Sequence, residues 1–278
     1  MKLTTRRKRS IMITNKDITI IVPVHEWNDT VKGLFVNAVS TIPTGANVVF
    51  VIPTGSKLSV DEKEAKRFTS TLTKVVSDGN TSFQHMVNKG VEEVDTEWFS
   101  ILEFDDEYSP IWFDNFIKYQ QYNQQYNFFL PMNDLYNVED GKDEFVGNGN
   151  EAVWASSFSD EIGVIDGKSL DDFFDFYLTG GIFNTKAWKE VGGLKESIKV
   201  TFWYEFMLRA TRKGEKFYVV PKIGYSHVLG REGSLLMQYR KTVDTKEADF
   251  WLKLAKRESF FDVDRNKTYK ADSEETAE

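Results

Sequence analysis

Four carboxylates crowd into five residues, Glu103-Phe104-Asp105-Asp106-Glu107, and Tyr108-Ser109-Pro110 closes the group. Like charges this close repel one another, and a cation or cationic ligand among them relieves the repulsion most readily. The preceding run, Trp98-Phe99-Ser100-Ile101-Leu102, reads as a buried strand. The charges therefore fall at a strand's carboxyl end, where open α/β sheets bind ligands. The cluster alone supports two readings, a metal site and an acidic turn leading into the next helix. Its neighbours decide between them.

Those neighbours alternate strand and helix. Ile18-Thr19-Ile20-Ile21-Val22-Pro23-Val24 is β-branched almost throughout, as an interior parallel strand requires. His25, Glu26, Trp27 and Asn28 follow at its end, and Asp29 or Thr30 is placed to cap a helix through Val31, Leu34, Phe35, Ala38 and Val39. Residues 47–52 repeat the buried-strand pattern. Ser59-Val60-Asp61-Glu62 has capping-box spacing for a second helix to about residue 72. A short strand at Lys74-Val75-Val76 precedes the turn Asp78-Gly79-Asn80-Thr81, and residues 83–94 space Phe83, Met86, Val87, Val91 and Val94 along one helical face.

Beyond the acidic cluster the pattern predicts a helix over 112–122 and a strand over 127–132. Residues 133–171, rich in Gly, Asn, Ser and Asp, read as a functional loop or small hairpin layer. A glycine-bearing strand over 178–183 follows, then helices over 187–191 and 202–213, a strand over 217–220, an extended segment to His227 and an amphipathic helix over 245–261. This order predicts an α/β fold with a mostly parallel sheet covered on both faces. The expected division is a basic flexible arm (1–16), a nucleotide-binding half (17–132), an acceptor-binding half (133–240), a helical extension (241–270) and an acidic disordered tail (271–278).

Composition narrows the class. The 278 residues are 41% hydrophobic and 14% aromatic, enough for one large globular domain. The absence of cysteine removes disulfides, thiolate zinc sites and thiol nucleophiles. No apolar run is long enough to span a bilayer, and the first ten residues lack a signal-like apolar segment, so the expectation is a soluble cytoplasmic protein. A net charge of -8 argues against broad nucleic-acid binding, although Arg6-Arg7-Lys8-Arg9 forms a basic arm.

Taken in series, these elements and their punctuation resemble the family-2 glycosyltransferases of the GT-A fold, over roughly residues 17–230. That family opens with a buried strand ending in Pro and a turn that holds the nucleotide base, matched by Pro23-Val24-His25-Glu26. An Asn-x-Gly in the helix before the metal strand is matched by Asn88-Lys89-Gly90. The family's metal motif, commonly Asp-x-Asp-Asp-x-x-x-Pro, is matched by Glu103 to Pro110 with Glu in the first place. A Gly-Gly, an acidic helix running into Arg and Gly, and a closing Pro and His are matched by Gly192-Gly193, Arg209, Gly214, Pro221 and His227.

The resemblance implies a metal-dependent transfer of a sugar from a nucleoside-diphosphate sugar, a UDP-sugar by preference, to an acceptor hydroxyl, inverting rather than retaining. A divalent cation would neutralise charge on the departing diphosphate. Asp105 is the expected direct ligand, Glu103 acts through the ribose or a metal-bound water, Asp106 contacts the sugar or the metal's outer sphere, and His227 is a second protein ligand. Oxygen ligands with one imidazole suit Mn²⁺ or Mg²⁺.

Departures from the family are equally definite. Pro53-Thr54-Gly55-Ser56 stands where acidic residues usually read the base, leaving Asp78 to take over that contact. The usual Glu-Asp pair, whose Asp deprotonates the acceptor, aligns with Phe202 and Trp203. Glu205 remains as an acidic position of the pattern, but two residues along a helix turn it by about 200°. Either Glu205 still reaches the site, or Asp171, Asp172 or Asp175 serves, or the reaction is retaining. Trp203 and Trp154 stack on a sugar or pack in the core. Two other functions stay open: a silent GT-A module that binds a nucleotide-sugar or glycan, and a sugar nucleotidyltransferase, which would want a Gly-rich basic loop after the first strand. The basic arm permits a polyanionic acceptor such as a modified nucleic acid, and the aromatic C-terminal helix packs back on the domain or forms a homodimer contact.

Overall fold

A computed structural model describes residues 12–55, 73–139, 142–155, 157–231, 233–235, 237–238 and 244–260. The Arg6 to Arg9 arm, the helix expected over 59–72 and the acidic tail lie outside the described residues. Strand β1 (Ile18–Pro23), buried at all six positions, pairs in parallel with β2 (Asn47–Pro53) on one side and β4 (Trp98–Ile101) on the other. β3 (Thr73–Asp78) extends the parallel half beyond β2. Burial of both faces is what the unbroken β-branched run of β1 requires.

Helices cover the two faces. Helix α1 (Asp29–Ser40) is capped by Asn28, whose Oδ1 accepts from the Val31 N–H at 2.9 Å; the cap lies one residue before those expected. Helix α2 (Phe83–Glu92) lies on β1, and Gly90 permits it, because a Cβ there would collide with Ile21. Helix α3 (Trp112–Tyr122) packs its Trp112, Phe113 and Phe116 on the α1 side of the sheet.

The second half of the sheet is built differently from the sequence expectation. β6 runs from Phe128 to Glu139 and folds back as β7 (Lys142–Gly149), so the irregular 133–171 stretch begins as a hairpin. A short β8 (Val164–Ile165) and helix α4 (Gly167–Asp172) follow. The strand expected over 178–183 is only β9 (Ile182–Asn184); residues 178–181 form a turn, with Gly180 at φ 72° and the Gly181 N–H donating to Leu178 O at 3.0 Å. β9 runs antiparallel between β4 and β6. The two segments expected around Pro221 are one strand, β10 (Phe217–Leu229), parallel to β6; Pro221, which has no N–H to donate, falls where the register shifts between Val219 and Ile223. A two-residue β5 (Glu107–Tyr108) pairs antiparallel with the far side of β10, giving the order β3-β2-β1-β4-β9-β6-β10-β5.

Helix α5 (Thr185–Val191) ends at Gly192, in the left-handed region at φ 100°. Helix α6 (Phe202–Arg212) carries α7 (Thr245–Glu258), which buries Ala255 and is tied by the Thr201 hydroxyl to Trp251 O at 2.9 Å. The C-terminal helix packs back on the domain, ending three residues before its expected limit. Among the described residues, no helix is long and apolar enough to cross a membrane.

Candidate active site

The acidic cluster leaves β4 as a turn in which the Asp106 N–H donates to Glu103 O at 3.2 Å. The chain then enters β5, whose antiparallel register sets Tyr108 against Tyr225 and Glu107 against Ser226. Each step back along β5 is a step forward along β10, so Asp106 arrives opposite His227. Its carboxylate, 1% exposed, accepts from His227 Nδ1 at 2.7 Å and from the Val228 N–H at 2.8 Å. Glu103 completes the group: ligand atoms of Glu103, Asp106 and His227 all lie within 4.8 Å of one another. The Glu103 N–H donates to the Tyr225 hydroxyl at 3.1 Å, which fixes the start of the turn.

Burial and crowding govern the charges. Burial pushes the Glu103 carboxyl up to about 8, helped by the charge of Asp106 and opposed by His227. Asp105 is raised chiefly by burial and then by Asp106, with Arg231 pulling it back. Burial disfavours the His227 imidazolium, but Asp106 and then Glu103 and Asp105 outweigh it and raise the group to about 9. A site with more carboxylates than cations, drawn this tightly together, is one that a hard divalent cation fits by charge and donor type.

Asp105 lies elsewhere. Its Oδ2 sits 2.5 Å from Arg231 Nε, and the Arg231 guanidinium reaches toward Glu26 at 4.0 Å and covers the Phe104 ring at 5.0 Å. The expected direct ligand is thus held in an ion pair, whereas Asp106, expected to act from outside, meets His227. Arg231 escaped the sequence reading; its one signal was a basic residue four positions after His227, just past Gly230.

The end of β1 joins this cluster. Pro23 and Val24 close the strand; the His25 ring lies 5.2 Å from Phe104, and its pKa is lowered mainly by burial, with Arg231 adding to the effect. Asp78 ends β3 two strands away and is engaged by the Asn80 N–H at 2.8 Å and by His85 Nε2 at 3.0 Å. The other sequence candidates have different surroundings. Asn88 grips the main chain of Leu194, donating to its oxygen at 2.8 Å and accepting from its N–H at 2.9 Å. Glu205, 0% exposed, takes two bonds of 2.8 Å from Arg209, which also donates to Val191 O and Gly193 O at 2.7 Å. Lys195 stands 3.4 Å away. Trp203 packs against Phe83, Phe202 and Trp188, and Trp154 against Tyr218 and Gly163. The structure brings neither Glu205 nor Trp203 into the group around His227.

No protein-family model and no curated protein matches this chain. Solved structures do. The chain resembles S. aureus TarS 1–349 in complex with UDP at 14% identity and a TM-score of 0.58, covering 87% of this chain and 71% of that one. The same protein in complex with UDP-GlcNAc gives 13% identity and a TM-score of 0.59, over 87% and 66%. The fold is GT-A-like. A longer TarS chain gives 14% identity and a TM-score of 0.54, and the present chain spans 43% of its length. At these identities the likeness speaks for architecture, and chemistry has to be argued from the residues.

Proposed function

We propose that this chain is a glycosyltransferase that takes a sugar from a nucleoside-diphosphate sugar, a UDP-sugar by preference, and passes it to an acceptor hydroxyl with the help of Mn²⁺ or Mg²⁺. The observation that carries the reading is the convergence of Glu103, Asp106 and His227 at the carboxyl end of β4, on a fold shared with a protein captured with UDP and with UDP-GlcNAc. Glu103 and His227 would hold the cation, with Asp106 fixing the imidazole in place. Bound there, a divalent cation supplies positive charge against the diphosphate that leaves as the glycosidic bond breaks.

The remaining roles follow from this chain's side chains. Asp106 orients His227 by accepting from its Nδ1, so that Nε2 would be the ligand atom. Arg231, bridging Asp105 toward Glu26, places a fixed cation where phosphate oxygens would approach. His25 and Glu26 line the nucleotide side, with Asp78 as the base contact farther along the sheet. An inverting transfer needs a carboxylate to take the acceptor proton. Glu205 is committed to Arg209, so this role would fall to a carboxylate of the 171–175 stretch, Asp171, Asp172 or Asp175. The buried state of Glu205 and the packing of Trp203 favour one second reading, a module that binds a nucleotide-sugar without transferring it.

The test is donor turnover. With Mn²⁺ and a panel of UDP- and GDP-sugars, slow release of free nucleoside diphosphate is expected, lost on chelation and in both Asp106→Asn and His227→Ala. Metal-dependent donor binding with no turnover, even with acceptors present, selects the silent module. Donor binding indifferent to metal and to both substitutions rejects the site.

A further inference from the structure

Asn150 is the one non-glycine residue at positive φ among the described residues, at φ 66°. Asparagine tolerates this region better than most side chains, but such a conformation persists only where its surroundings require it. Its side chain, on a residue 5% exposed, secures Tyr177 at both ends. Oδ1 accepts from the Tyr177 N–H at 2.9 Å; Nδ2 donates to Tyr177 O at 2.8 Å and to Pro131 O at 3.0 Å. Asn133, fully buried on β6, does the same kind of work two residues on, donating to Thr179 O and Thr179 Oγ1 at 3.2 Å each. Two interior amides thus fix a short turn.

What this turn presents is an aromatic ring. A Cβ at Gly149 would lie 2.7 Å from the Tyr177 ring, so the ring lies against the bare backbone at the end of β7. The ring also faces His227, at 5.8 Å between centroids and 62° between planes. Tyr177 is only half-buried, so packing alone does not account for so much fixation. Beyond it, Gly180 lies against Tyr225, the residue whose hydroxyl holds the Glu103 N–H. The turn is wired to the carboxylate cluster at both ends.

We propose that Tyr177 is the sugar-contacting aromatic of the donor site, its ring packing on the C–H face of the pyranose, with Asn150 as the residue that positions it. This rests on the reading of Glu103, Asp106 and His227 as the cation site on the diphosphate side. The sugar is joined directly to the outer phosphate, so a ring beside His227 stands where the sugar must lie. A pyranose carries an apolar C–H face, and an aromatic ring offers the matching surface at low conformational cost.

The test compares two affinities in the full-length chain with Mn²⁺: UDP, and the tightest binder among UDP-glucose, UDP-galactose and UDP-GlcNAc, each by calorimetry. Tyr177→Ala is expected to raise the ratio Kd(UDP-sugar)/Kd(UDP) by about fivefold to tenfold, with UDP affinity held within about twofold. Tyr177→Phe and Tyr177→Trp keep the ratio near that of the native chain. Asn150→Gly, comfortable at the same φ but without the amide, shifts the ratio in the direction of Tyr177→Ala. Should the alanine variant fail to fold, Tyr177→Leu keeps the apolar bulk without the π face and carries the same expectation. Normal UDP binding with an unchanged ratio in the alanine or leucine variant overturns this inference alone. No binding of UDP or any UDP-sugar by the native chain overturns it together with the proposed function.

Discussion

Replacing Arg209 by methionine separates a structural role for Glu205 from a catalytic one. In the native chain both Glu205 oxygens accept from Arg209 at 2.8 Å, and Arg209 also satisfies Val191 O and Gly193 O. The substitution leaves a fully buried carboxylate with Lys195 at 3.4 Å as its nearest remaining ion-pair partner, and takes a donor from two carbonyls. Breaking a buried ion pair from one side costs about 3–5 kcal/mol, and each carbonyl left without a partner adds about 1 kcal/mol. Against a total of about 5–15 kcal/mol for a domain, that is a third or more of the stability. Urea unfolding followed by circular dichroism measures it as a lower midpoint at unchanged slope. Replacing both residues by methionine should recover much of the loss, because no charge is then stranded. The decisive comparison is Glu205→Gln. If Glu205 is structural, this variant is less stable by about 1–3 kcal/mol, while nucleoside-diphosphate release per folded molecule stays within about threefold. Loss of a general base would instead lower turnover by about 10²–10⁴. A stable Glu205→Gln chain with turnover down by about a hundredfold would refute the reasoning and return Glu205 to the chemistry.

Two further outcomes follow from local geometry. For His85, burial acts against the imidazolium, but Asp78 and Glu196, at 3.0 Å and 2.9 Å, outweigh it and raise its pKa; Asp78 is lowered, first by the Asn80 N–H and then by His85. The histidine's contribution is therefore complete below its ordinary value of about 6.5 and fades as pH rises through the raised one, whereas that of Asp78 fades as pH falls below about 4. Unfolding of His85→Gln against the native chain should show the largest stability difference between these limits and a shrinking one at alkaline pH; a difference constant from acid to alkali refutes the pairing. Gly90→Ala should drive its new methyl into Ile21 and cost about 1–3 kcal/mol, read as a fall in melting temperature, with α2 itself no less helical.

The sequence expectations succeeded where the signal was local. The β-branched run of β1, the apolar face of α2 and the bounds of α3 are each written in a few consecutive residues, and each element appears where those residues stand. In the sequence the hairpin β6–β7 is one of two readings beside a loop, and the continuous β10 reads as a strand and an extended segment, because Asn, Gly and Pro punctuate them. In the folded chain those residues do other work: Asn133 and Asn150 bond the 177–179 turn, and Pro221 sits at a register shift. Local composition weighed against strands that tertiary pairing nonetheless holds in place. The same contrast governs the site. Asn88 and Gly193 look like punctuation in the sequence, but in space the asparagine amide closes on the Leu194 peptide over a glycine with no room for a side chain.

The exchange of places between Asp105 and Asp106 has a topological cause. Both are carboxylates on one turn, one residue apart, and no property of either side chain selects between them. Selection comes from β5, a strand of two residues that sequence reading passed over, whose antiparallel register on β10 carries Asp106 to His227 across 121 positions of chain. Asp105, one residue back, meets Arg231, which follows His227 by four residues at the exit of β10. One strand thus delivers an imidazole to one carboxylate and, just past its end, a guanidinium to the other. A slip of one residue in the β5 to β10 pairing would reverse every side chain of β5 and leave Asp106 without both its imidazole and its Val228 N–H. The geometry of the carboxylate cluster is therefore set by a strand of two residues, anchored by Tyr108, whose hydroxyl donates to Ser100 at 2.7 Å as Ser100 in turn holds Gly181 O at 2.7 Å.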